Sequence, residues 1–345
     1  MKIFSGSSNK PLAERITKEL KINLSPLEID IFPDGEERVR VVEKIVDEDT
    51  VVVQSTSPKP NDCYMELFFI VDALKRSGAK SVTAVAPYLG YQRQDHVFRD
   101  GEAVSLEVII ETLEAVGMNK LITFDLHSIK IPELFFMPIV HLSALGIFAE
   151  KIKEVAEVAH KNFLVHSAGK VSSEIPKPDG ANANRENFAS SPLWKKKDMV
   201  LVSPDMGGIR RIKLLSEMLD NMPYVSIIKD RDLATGNIES NEIDNPDPNW
   251  KKNIKTAIIV DDMISTGRTI VAAIDLLKKN GIEEIMVFAT HPVLSNEAKE
   301  ILQNSKASRI FVTDSIDVPK EKHFDKLEIL SIAGEIAKEL KATSH

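Results

Sequence analysis

The residues with the clearest chemical potential lie in one short stretch, which reads AIIVDDMISTGRTI from position 257 to position 270. Its β-branched residues predict a strand buried on both faces, closed by two adjacent carboxylates, Asp261 and Asp262. A polar turn at 265–269 follows, and then a helical pattern. Unpaired N–H groups at such a helix N-terminus favour a phosphate, whereas paired carboxylates suit hydroxyl groups or a metal ion. The stretch therefore predicts a ligand with both a phosphate and a diol, as in a sugar phosphate.

Polar clusters also follow other predicted strands, at 54–56, 93–95, 125–127, 203–208 and 229–231. Because ligands bind at the carboxyl ends of parallel strands, six clusters at the same topological position favour one shared site.

Taken alone, each cluster has a plainer interpretation that the sequence leaves open. The alternatives are a structural His127 held by Asp125, an Asx turn at Asp205, an ion pair between Arg93 and Asp95, and solvated cations at Lys229 and Arg231.

The elements that must position these clusters form an internal repeat. The segment VDALKRSG at 71–78 corresponds to IDLLKKNG at 274–281, and an apolar strand follows each. A repeat at about 200 residues indicates duplicated domains rather than a solenoid. We therefore predict an α/β protein with two similar domains, 1–145 and 146–345, each a mostly parallel sheet flanked by helices. Residues 155–198, rich in Ser, Asn, Pro and Gly, predict an irregular exposed insert in the second domain.

Composition narrows the class of protein. A hydrophobic content of 43% and a charged content of 28% are typical of a globular protein, and the net charge of −8 argues against a nucleic-acid partner. The single cysteine, Cys63, fits a reducing compartment. Because the sequence shows no signal peptide and no apolar run long enough to span a membrane, we expect a cytoplasmic protein without a membrane partner.

The residue types found in these clusters favour an enzyme that transfers a phosphoryl-type group. They include cations, glycine-rich loops for anions, and carboxylates and imidazoles able to hold a hard cation, but no nucleophile–base pair at a recognisable spacing. Positioning and charge neutralisation carry most of the catalysis in such transfers. The chain lacks the GxxxxGK[ST] loop, which excludes a P-loop enzyme.

The sequence resembles a known family over nearly its whole length outside 155–198. VDDMISTGRT resembles the phosphoribosyl diphosphate-binding loop shared by type I phosphoribosyltransferases and ribose-phosphate diphosphokinases. The remaining motifs resemble the second family and occur in its order, and FRDGEAVS at 98–105 is similar to its archaeal-type variant. These motifs are FPDGE at 32–36, QST at 54–56, YQRQD at 91–95, DLHS at 125–128, VSPDMGG at 202–208, ATHPV at 289–293 and VTDSI at 312–316.

The resemblance implies two phosphoribosyltransferase-like domains and a magnesium-dependent transfer of diphosphate from ATP to the C1 hydroxyl of ribose 5-phosphate. The products would be 5-phosphoribosyl 1-diphosphate, for nucleotide biosynthesis, and AMP. It also implies a homo-oligomer, since the family forms hexamers built from dimers.

The resemblance further assigns roles to individual residues. Lys229 and Arg231, on a flexible loop, and His127 would be catalytic, and His127 and Asp205 would bind Mg²⁺. ATP would be bound by Phe32, Asp34 and Glu36, reaching from a neighbouring subunit, and by Arg93, Gln94 and Asp95. Ribose 5-phosphate would be bound by Asp261, Asp262, Ser265, Thr266, Gly267, Arg268 and Thr269.

Two side chains depart from the family pattern at this site. Arg268 stands where a second glycine is usual, so it would either crowd the phosphate or add a cation to it. Asp230 stands where an arginine is common and lowers the local positive charge. Two alternative functions stay open beside this one: a non-catalytic regulatory homologue, and a phosphoribosyltransferase that consumes the same phosphoribosyl compound.

Overall fold

The structure is a computed structural model that describes residues 1–167, 198–231, 238–244, 254–295 and 297–342. Two mostly parallel sheets dominate it, and helices cover both faces of each, which confirms the predicted fold class. In the described part of the chain, no helix combines the length and the apolarity needed to cross a membrane.

The first sheet is wholly parallel, with the strand order β1-β4-β5-β6-β7. A separate antiparallel hairpin, β2–β3, packs beside α2. The elements of this half are β1 (Lys2–Ser5), α1 (Lys10–Leu20), β2 (Leu27–Ile31), β3 (Glu37–Val41), β4 (Asp49–Val53), α2 (Pro60–Arg76), β5 (Ser81–Val85), α3 (Ser105–Ala115), β6 (Lys120–Phe124) and β7 (Ile139–Leu142).

The second sheet has the order β10-β9-β8-β11-β12-β13-β14 and is parallel except for its β9–β10 edge. Its elements are α4 (Leu145–Ser167), β8 (Met199–Ser203), α5 (Ile209–Met218), β9 (Tyr224–Arg231), β10 (Ile238–Asp244), β11 (Thr256–Ile264), α6 (Arg268–Lys279), β12 (Glu284–Pro292), α7 (Ala298–Gln303), β13 (Arg309–Thr313), β14 (Leu327–Leu330) and α8 (Ala333–Ala342).

Strand β11 shows why the second sheet needs helices on both sides. Alternate side chains of a strand point to opposite faces. Ala257 and Ile259 pack into the core beneath α6, whereas Ile258 and Val260 pack into the core that α4 and α5 cover. The strand is therefore buried on both faces, as its run of β-branched residues predicts.

The internal repeat is confirmed at the level of structure. α2 and α6 end at Arg76 and Lys279, and Gly78 and Gly281, two residues after these ends, both have φ of +87°. This left-handed conformation is the usual way in which glycine ends a helix. In each half the next strand lies parallel to the strand that precedes the helix.

Two local predictions are wrong. The irregular insert does not begin at 155, because α4 continues to Ser167 with Phe148, Ile152 and Val155 buried at helical spacing on one face. The rest of that insert, 168–197, lies outside the described residues. The sequence also predicts Ser105 as the N-cap of a helix that ends at Gly117, but Ser105 is the first residue of α3 and Val104 is its N-cap.

The last helix crosses back to the first sheet. α8 packs against α1, and its Ile336 and Leu340 lie in one core with Ile3, Ile16 and Phe124 of the first half. The sequence expectation assigned every residue after 145 to the second domain. In the structure the turn at 143–144 separates the two sheets, but α8 completes the layer over the first.

Candidate active site

The two sheets meet at a hydrogen bond between two residues that the sequence singled out. His127 follows β6 of the first sheet, Asp262 lies in β11 of the second, and Nδ1 of the histidine is 2.7 Å from Oδ2 of the carboxylate. The Asp262 side chain is 7% exposed and that of His127 is 46% exposed. This bond raises the pKa of His127. The predicted metal ligand and the predicted ribose-binding residue therefore lie side by side.

Asp262 stays ionised although it is buried. Burial alone would raise the pKa of this carboxyl, but the hydrogen bond with His127 and the charge of Arg211 bring it well below its ordinary value. The pKa of its neighbour Asp261 is raised, first by burial and then by the charge of Asp262. The pKa values of these two adjacent carboxyl groups thus shift in opposite directions, because only Asp262 bonds to a histidine.

The acidic pair lies within β11 rather than closing it. The strand continues to Ile264, and Asp261 and Met263 are in register with Ala289 and His291 of β12. Pairing with the equally long strand β12 provides the backbone partners that carry β11 past the two carboxylates. The diol-binding candidates are consequently held by a rigid ladder.

The turn after β11 has the geometry of an anion site. Gly267 adopts φ of +79°, and a Cβ at this position would lie 3.1 Å from the Leu302 side chain. α6 begins immediately afterwards, and its N-cap Gly267 provides no side-chain hydrogen bond to the N–H groups of the first turn, although the N–H of Arg268 donates to Thr266 Oγ1 at 3.4 Å. The first turn of a helix favours an anion. Ser265, Thr266 and Thr269 belong to the same turn.

Arg268 is directed towards a carboxylate of the protein. Its side chain is 75% exposed, and Nη2 lies 3.5 Å from Oε2 of Glu297. In this position the guanidinium forms a surface ion pair next to α7. The two outcomes considered for the sequence, crowding of the phosphate or direct binding to it, both require this side chain to turn around.

Asp205 forms a turn and lies near the acidic pair. Its Oδ1 accepts a hydrogen bond of 3.3 Å from the backbone N–H of Gly208, which is the Asx-type turn considered above. Its charge also raises the pKa of Asp261, so the carboxylate lies near the acidic pair of β11. The turn places Asp205 directly before α5.

The segment YQRQD at 91–95 faces His127. The backbone N–H of His127 donates to Oε1 of the buried Gln92 at 2.9 Å, and the charge of Asp95 raises the pKa of His127. The Asp95 carboxylate accepts a hydrogen bond from Nδ1 of His96 at 2.7 Å, and, among the side chains that the structure describes, the Arg93–Asp95 ion pair, one of the alternatives considered above, does not form. Arg93 and Gln94 are exposed.

The turn with Phe32, Asp34 and Glu36 lies apart from this cleft. It closes the β2–β3 hairpin, with Gly35 at φ of +94°. Phe32 is exposed, and Arg38 lies over its ring at 6.0 Å. Among the described residues, no hydrogen bond or ion pair joins this turn to the site around His127.

Lys229 and Arg231 occupy the end of a strand rather than a loop. β9 runs to Arg231, and β10 pairs with it antiparallel, with Lys229 opposite Asn241 and Arg231 opposite Ile238. The prediction of a flexible loop is wrong at these positions because β10 provides a backbone partner that its polar sequence did not reveal. Residues 232–237, between the strands, lie outside the described part.

Sequence reasoning missed the buried anchor behind His127. Asp125, at φ of +30°, accepts hydrogen bonds from the Ser143 hydroxyl at 2.7 Å, the Ala144 N–H at 2.9 Å and the Thr290 hydroxyl at 2.7 Å. Thr290 belongs to the second sheet, so this carboxylate joins the two halves two residues before His127. The sequence places Thr290 in the motif ATHPV, but it does not by itself show that the Thr290 hydroxyl hydrogen-bonds to Asp125.

Sequence reasoning also missed Arg211 of α5. Its Nη1 lies 3.8 Å from Asp261 Oδ1 and 3.9 Å from Asp262 Oδ1, and the side chain is 14% exposed. Next to it a cavity of about 550 Å³ opens between the sheets, with His127, His141, Arg210 and Gly207 in its wall. In the sequence, Arg211 resembles any other charged residue of an amphipathic helix.

Comparisons with known proteins agree with this arrangement. Residues 1–117 match a family described as the N-terminal domain of ribose phosphate pyrophosphokinase, and residues 180–321 match the phosphoribosyl transferase domain. Proteins named ribose-phosphate pyrophosphokinase from Bacillus cereus and Corynebacterium ammoniagenes are each 35% identical over 333 residues, which cover 96% of this chain and 90% of theirs.

A solved structure extends the similarity to the whole fold. The phosphoribosylpyrophosphate synthetase from Mycobacterium smegmatis superposes with a TM-score of 0.81 at 29% identity, over 99% of this chain and 98% of that one. Both halves of the chain, their order and their sheets are therefore shared with these proteins. The chain belongs to the ribose-phosphate pyrophosphokinase family, also called the ribose-phosphate diphosphokinases.

Proposed function

We propose that this chain catalyses the reaction ATP + ribose 5-phosphate → AMP + 5-phosphoribosyl 1-diphosphate. One observation carries the proposal within the structure: His127 of one sheet meets Asp262 of the other at 2.7 Å, beside a helix N-terminus that has no side-chain cap. The relatives at 35% identity, named for this activity, support the same reaction.

The sugar phosphate binds along β11 and the following turn. The 5-phosphate accepts hydrogen bonds from the N–H groups and hydroxyls of Ser265, Thr266, Gly267, Arg268 and Thr269, where the positive end of the α6 dipole favours an anion. Asp261 and Asp262 accept hydrogen bonds from the 2- and 3-hydroxyls of ribose. Since Asp262 bonds to His127 without substrate, the ribose diol competes with the imidazole for this carboxylate.

ATP lies on the side of His127 where the segment 91–95 is found. Arg93, Gln94 and Asp95 contact the nucleotide of their own chain. Phe32, Asp34 and Glu36 hold the adenine of a neighbouring subunit, because their hairpin turn is exposed and apart from the cleft of its own chain. This arrangement requires a homo-oligomer, such as a hexamer built from dimers.

His127 and Asp205 provide the donor types that suit Mg²⁺. Among the described residues, no three His, Cys, Asp or Glu side chains are arranged to hold a metal ion by themselves. That fits Mg²⁺, which binds through one or two protein groups and completes its shell with substrate phosphates and water. When bound, Mg²⁺ would neutralise negative charge on the triphosphate.

The chain contributes positioning and charge stabilisation to the transfer. The C1 hydroxyl oxygen attacks the β-phosphorus of ATP in line; the new C1–O–P bond forms, the bond from the β-phosphorus to the α-phosphate oxygen breaks, and AMP leaves. The hydroxyl proton is released. Lys229 and Arg231 stabilise the charge that develops on the phosphoryl oxygens, and holding both substrates between the two sheets lowers the entropic cost of the encounter.

The test measures AMP and 5-phosphoribosyl 1-diphosphate after incubation with ATP, Mg²⁺ and ribose 5-phosphate. We expect both products in equal amounts and only when the sugar is present. AMP release without the sugar would contradict the proposal. ATP binding without product would identify the non-catalytic regulatory homologue, and product formation only from a nucleobase and 5-phosphoribosyl 1-diphosphate would identify a phosphoribosyltransferase.

A variant separates catalysis from binding. Lys229→Ala should lower kcat by about 100-fold or more with little change in ATP affinity, because its ammonium acts mainly on the transition state. Lys213→Ala, an exposed lysine of α5, serves as the control. A large loss of ATP affinity with unchanged turnover would contradict the role of Lys229. The cytoplasmic location stays a prediction from the sequence.

A further inference from the structure

The acidic pair of β11 raises an electrostatic problem that the predicted substrate contacts do not solve. Asp261 and Asp262 are adjacent in sequence, both are largely buried, and the Asp205 carboxylate lies close to them. Like charges that share a buried site repel each other and favour uptake of a proton. Recognition of a diol, however, requires both carboxylates to accept hydrogen bonds from neighbouring hydroxyls.

Only one carboxylate of the pair has a histidine partner. His127 bonds to Oδ2 of Asp262 at 2.7 Å. Asp261 Oδ1 accepts the backbone N–H of Asp262 at 2.9 Å, and the two aspartate side chains also share a hydrogen bond. Oδ1 of Asp261 and Oδ1 of Asp262 both face the guanidinium of Arg211.

Among the described side chains, Arg211 is the cation that faces both carboxylates. Its Nη1 lies 3.8 Å from Asp261 Oδ1 and 3.9 Å from Asp262 Oδ1, nearly the same distance from each. Its side chain is 14% exposed, so solvent screens its charge much less than that of a surface arginine. A cation at equal distances from two like charges reduces their repulsion without binding more tightly to either.

The position of Arg211 is set by the turn that carries Asp205. The Asp205 side chain caps this turn at Gly208, α5 starts at Ile209, and Arg211 follows in its first turn. A Cβ on Gly208 would clash with the Ser203 hydroxyl, so the turn before α5 requires glycine at this position, while Nη1 of Arg211 lies at an ordinary contact distance of 3.5 Å from the same point. The helix thus holds the cation in place before substrate arrives.

We propose that Arg211 is a positioning residue for ribose: it holds the Asp261 and Asp262 side chains next to each other, so that both accept hydrogen bonds from the 2- and 3-hydroxyls of the sugar. The proposal rests on the proposed function. The distances of 3.8 and 3.9 Å are longer than hydrogen bonds, so charge rather than directional bonding is the property that matters. A lysine at this position should therefore replace arginine in large part.

The test compares Arg211→Met, which removes the charge, with Arg211→Lys, which keeps it. Lys213→Met is the matched control, because Lys213 belongs to the same helix and is exposed. Each protein is assayed with ribose 5-phosphate, with 2-deoxyribose 5-phosphate and with varied ATP, always with Mg²⁺. The readouts are the KM of each sugar, the KM of ATP and the ratio of kcat/KM between the two sugars.

We expect Arg211→Met to raise the KM of ribose 5-phosphate by roughly tenfold or more, since it leaves two buried carboxylates without their shared cation. The KM of ATP should stay within about twofold, and the preference for ribose over 2-deoxyribose should fall by about tenfold. Arg211→Lys should recover most of both losses. A purely structural role would instead affect both substrates and leave the preference between the sugars unchanged.

Two results would overturn the inference. One is an Arg211→Met protein with wild-type sugar preference; the other is a loss in Arg211→Met that Arg211→Lys does not reduce. If Arg211→Met does not fold, Arg211→Gln removes the charge with a polar side chain and gives the same comparison. A wild-type protein that forms no AMP refutes the proposed function, whereas an active wild type with unaffected variants refutes only the role of Arg211.

Discussion

Replacing Thr290 by valine tests whether a hydrogen bond behind the active site holds the two sheets together. The Thr290 hydroxyl donates to Oδ2 of Asp125 at 2.7 Å, and Thr290 has no exposed surface. Valine has nearly the same shape, so the change removes the donor without opening a cavity. Oδ2 of Asp125 then retains only the N–H of Ala144, at 2.9 Å.

The expected loss of stability follows from the burial of Thr290 and the charge of Asp125. A hydrogen bond to a charged group contributes about 1.5–3 kcal/mol, and water cannot replace a donor at a fully buried position. Asp125 also adopts φ of +30°, a conformation that persists only when the surroundings hold it. We therefore expect Thr290→Val to lower the free energy of unfolding by about 2 kcal/mol. Thr290→Ser keeps the donor and loses one methyl group, which costs about 0.8 kcal/mol.

The assay is denaturant unfolding of the three proteins at one protein concentration, because subunit association also contributes to stability. Packing alone predicts that valine is harmless and serine costly. The hydrogen bond predicts the reverse order. A Thr290→Val protein within about 0.5 kcal/mol of wild type, with Thr290→Ser less stable than both, would refute this reasoning.

Three further predictions concern the cleft. Folding raises the pKa of His127 and lowers that of Asp262. Their ion pair therefore contributes fully to the free energy of unfolding between about pH 4 and pH 6.5. This contribution is lost as pH rises through the raised pKa of His127 or falls through the lowered pKa of Asp262. The free energy of unfolding of wild type and of His127→Gln is measured across this pH range. The difference between the two proteins should be greatest in that window, at about 1 kcal/mol, because the histidine is half-exposed. A difference that does not change with pH would contradict the ion pair. Gly267→Ala should lower stability by about 1–3 kcal/mol and weaken ribose 5-phosphate binding in calorimetry, since alanine is strained at φ of +79°; an unchanged affinity would place the phosphate elsewhere. Arg268→Gly should change the KM of ribose 5-phosphate by less than about threefold, because this side chain pairs with Glu297 at the surface; a larger increase would show that the arginine turns to bind the phosphate.

The fold could be predicted because its signals are local and repeated. The β-branched run before Asp261 indicates a doubly buried strand, and two glycines at matching places after apolar helices indicate a duplicated unit. Irregular composition was less informative. The composition of the Ser- and Pro-rich segment predicted an irregular insert from residue 155. Apolar residues at helical spacing through Val155 instead belong to α4, which continues to Ser167.

Predictions for the site succeeded where a strand end carries a distinctive pair of residues, and failed where the chemistry depends on contacts distant in sequence. Nothing adjacent to Arg211 in the chain marks it as the partner of carboxylates about 50 residues later. The distance of 3.8 Å between Arg211 and Asp261 arises only because α5 packs beside β11. Long-range pairing also hid β10, whose polar residues form a strand because β9 offers a free edge.

The return of α8 to the first sheet has a consequence for how the protein is made. A ribosome releases the chain from its N-terminus, so β1, α1 and β4 emerge long before residues 333–342. Until then the surface formed by Ile3, Ile16 and Phe124 lacks the apolar side chains of Ile336 and Leu340. The first half completes its core only after α8 has been synthesised. A chain that lacks α8 thus exposes an apolar surface, which makes it a target for chaperones, whereas a chain that contains α8 covers this surface itself.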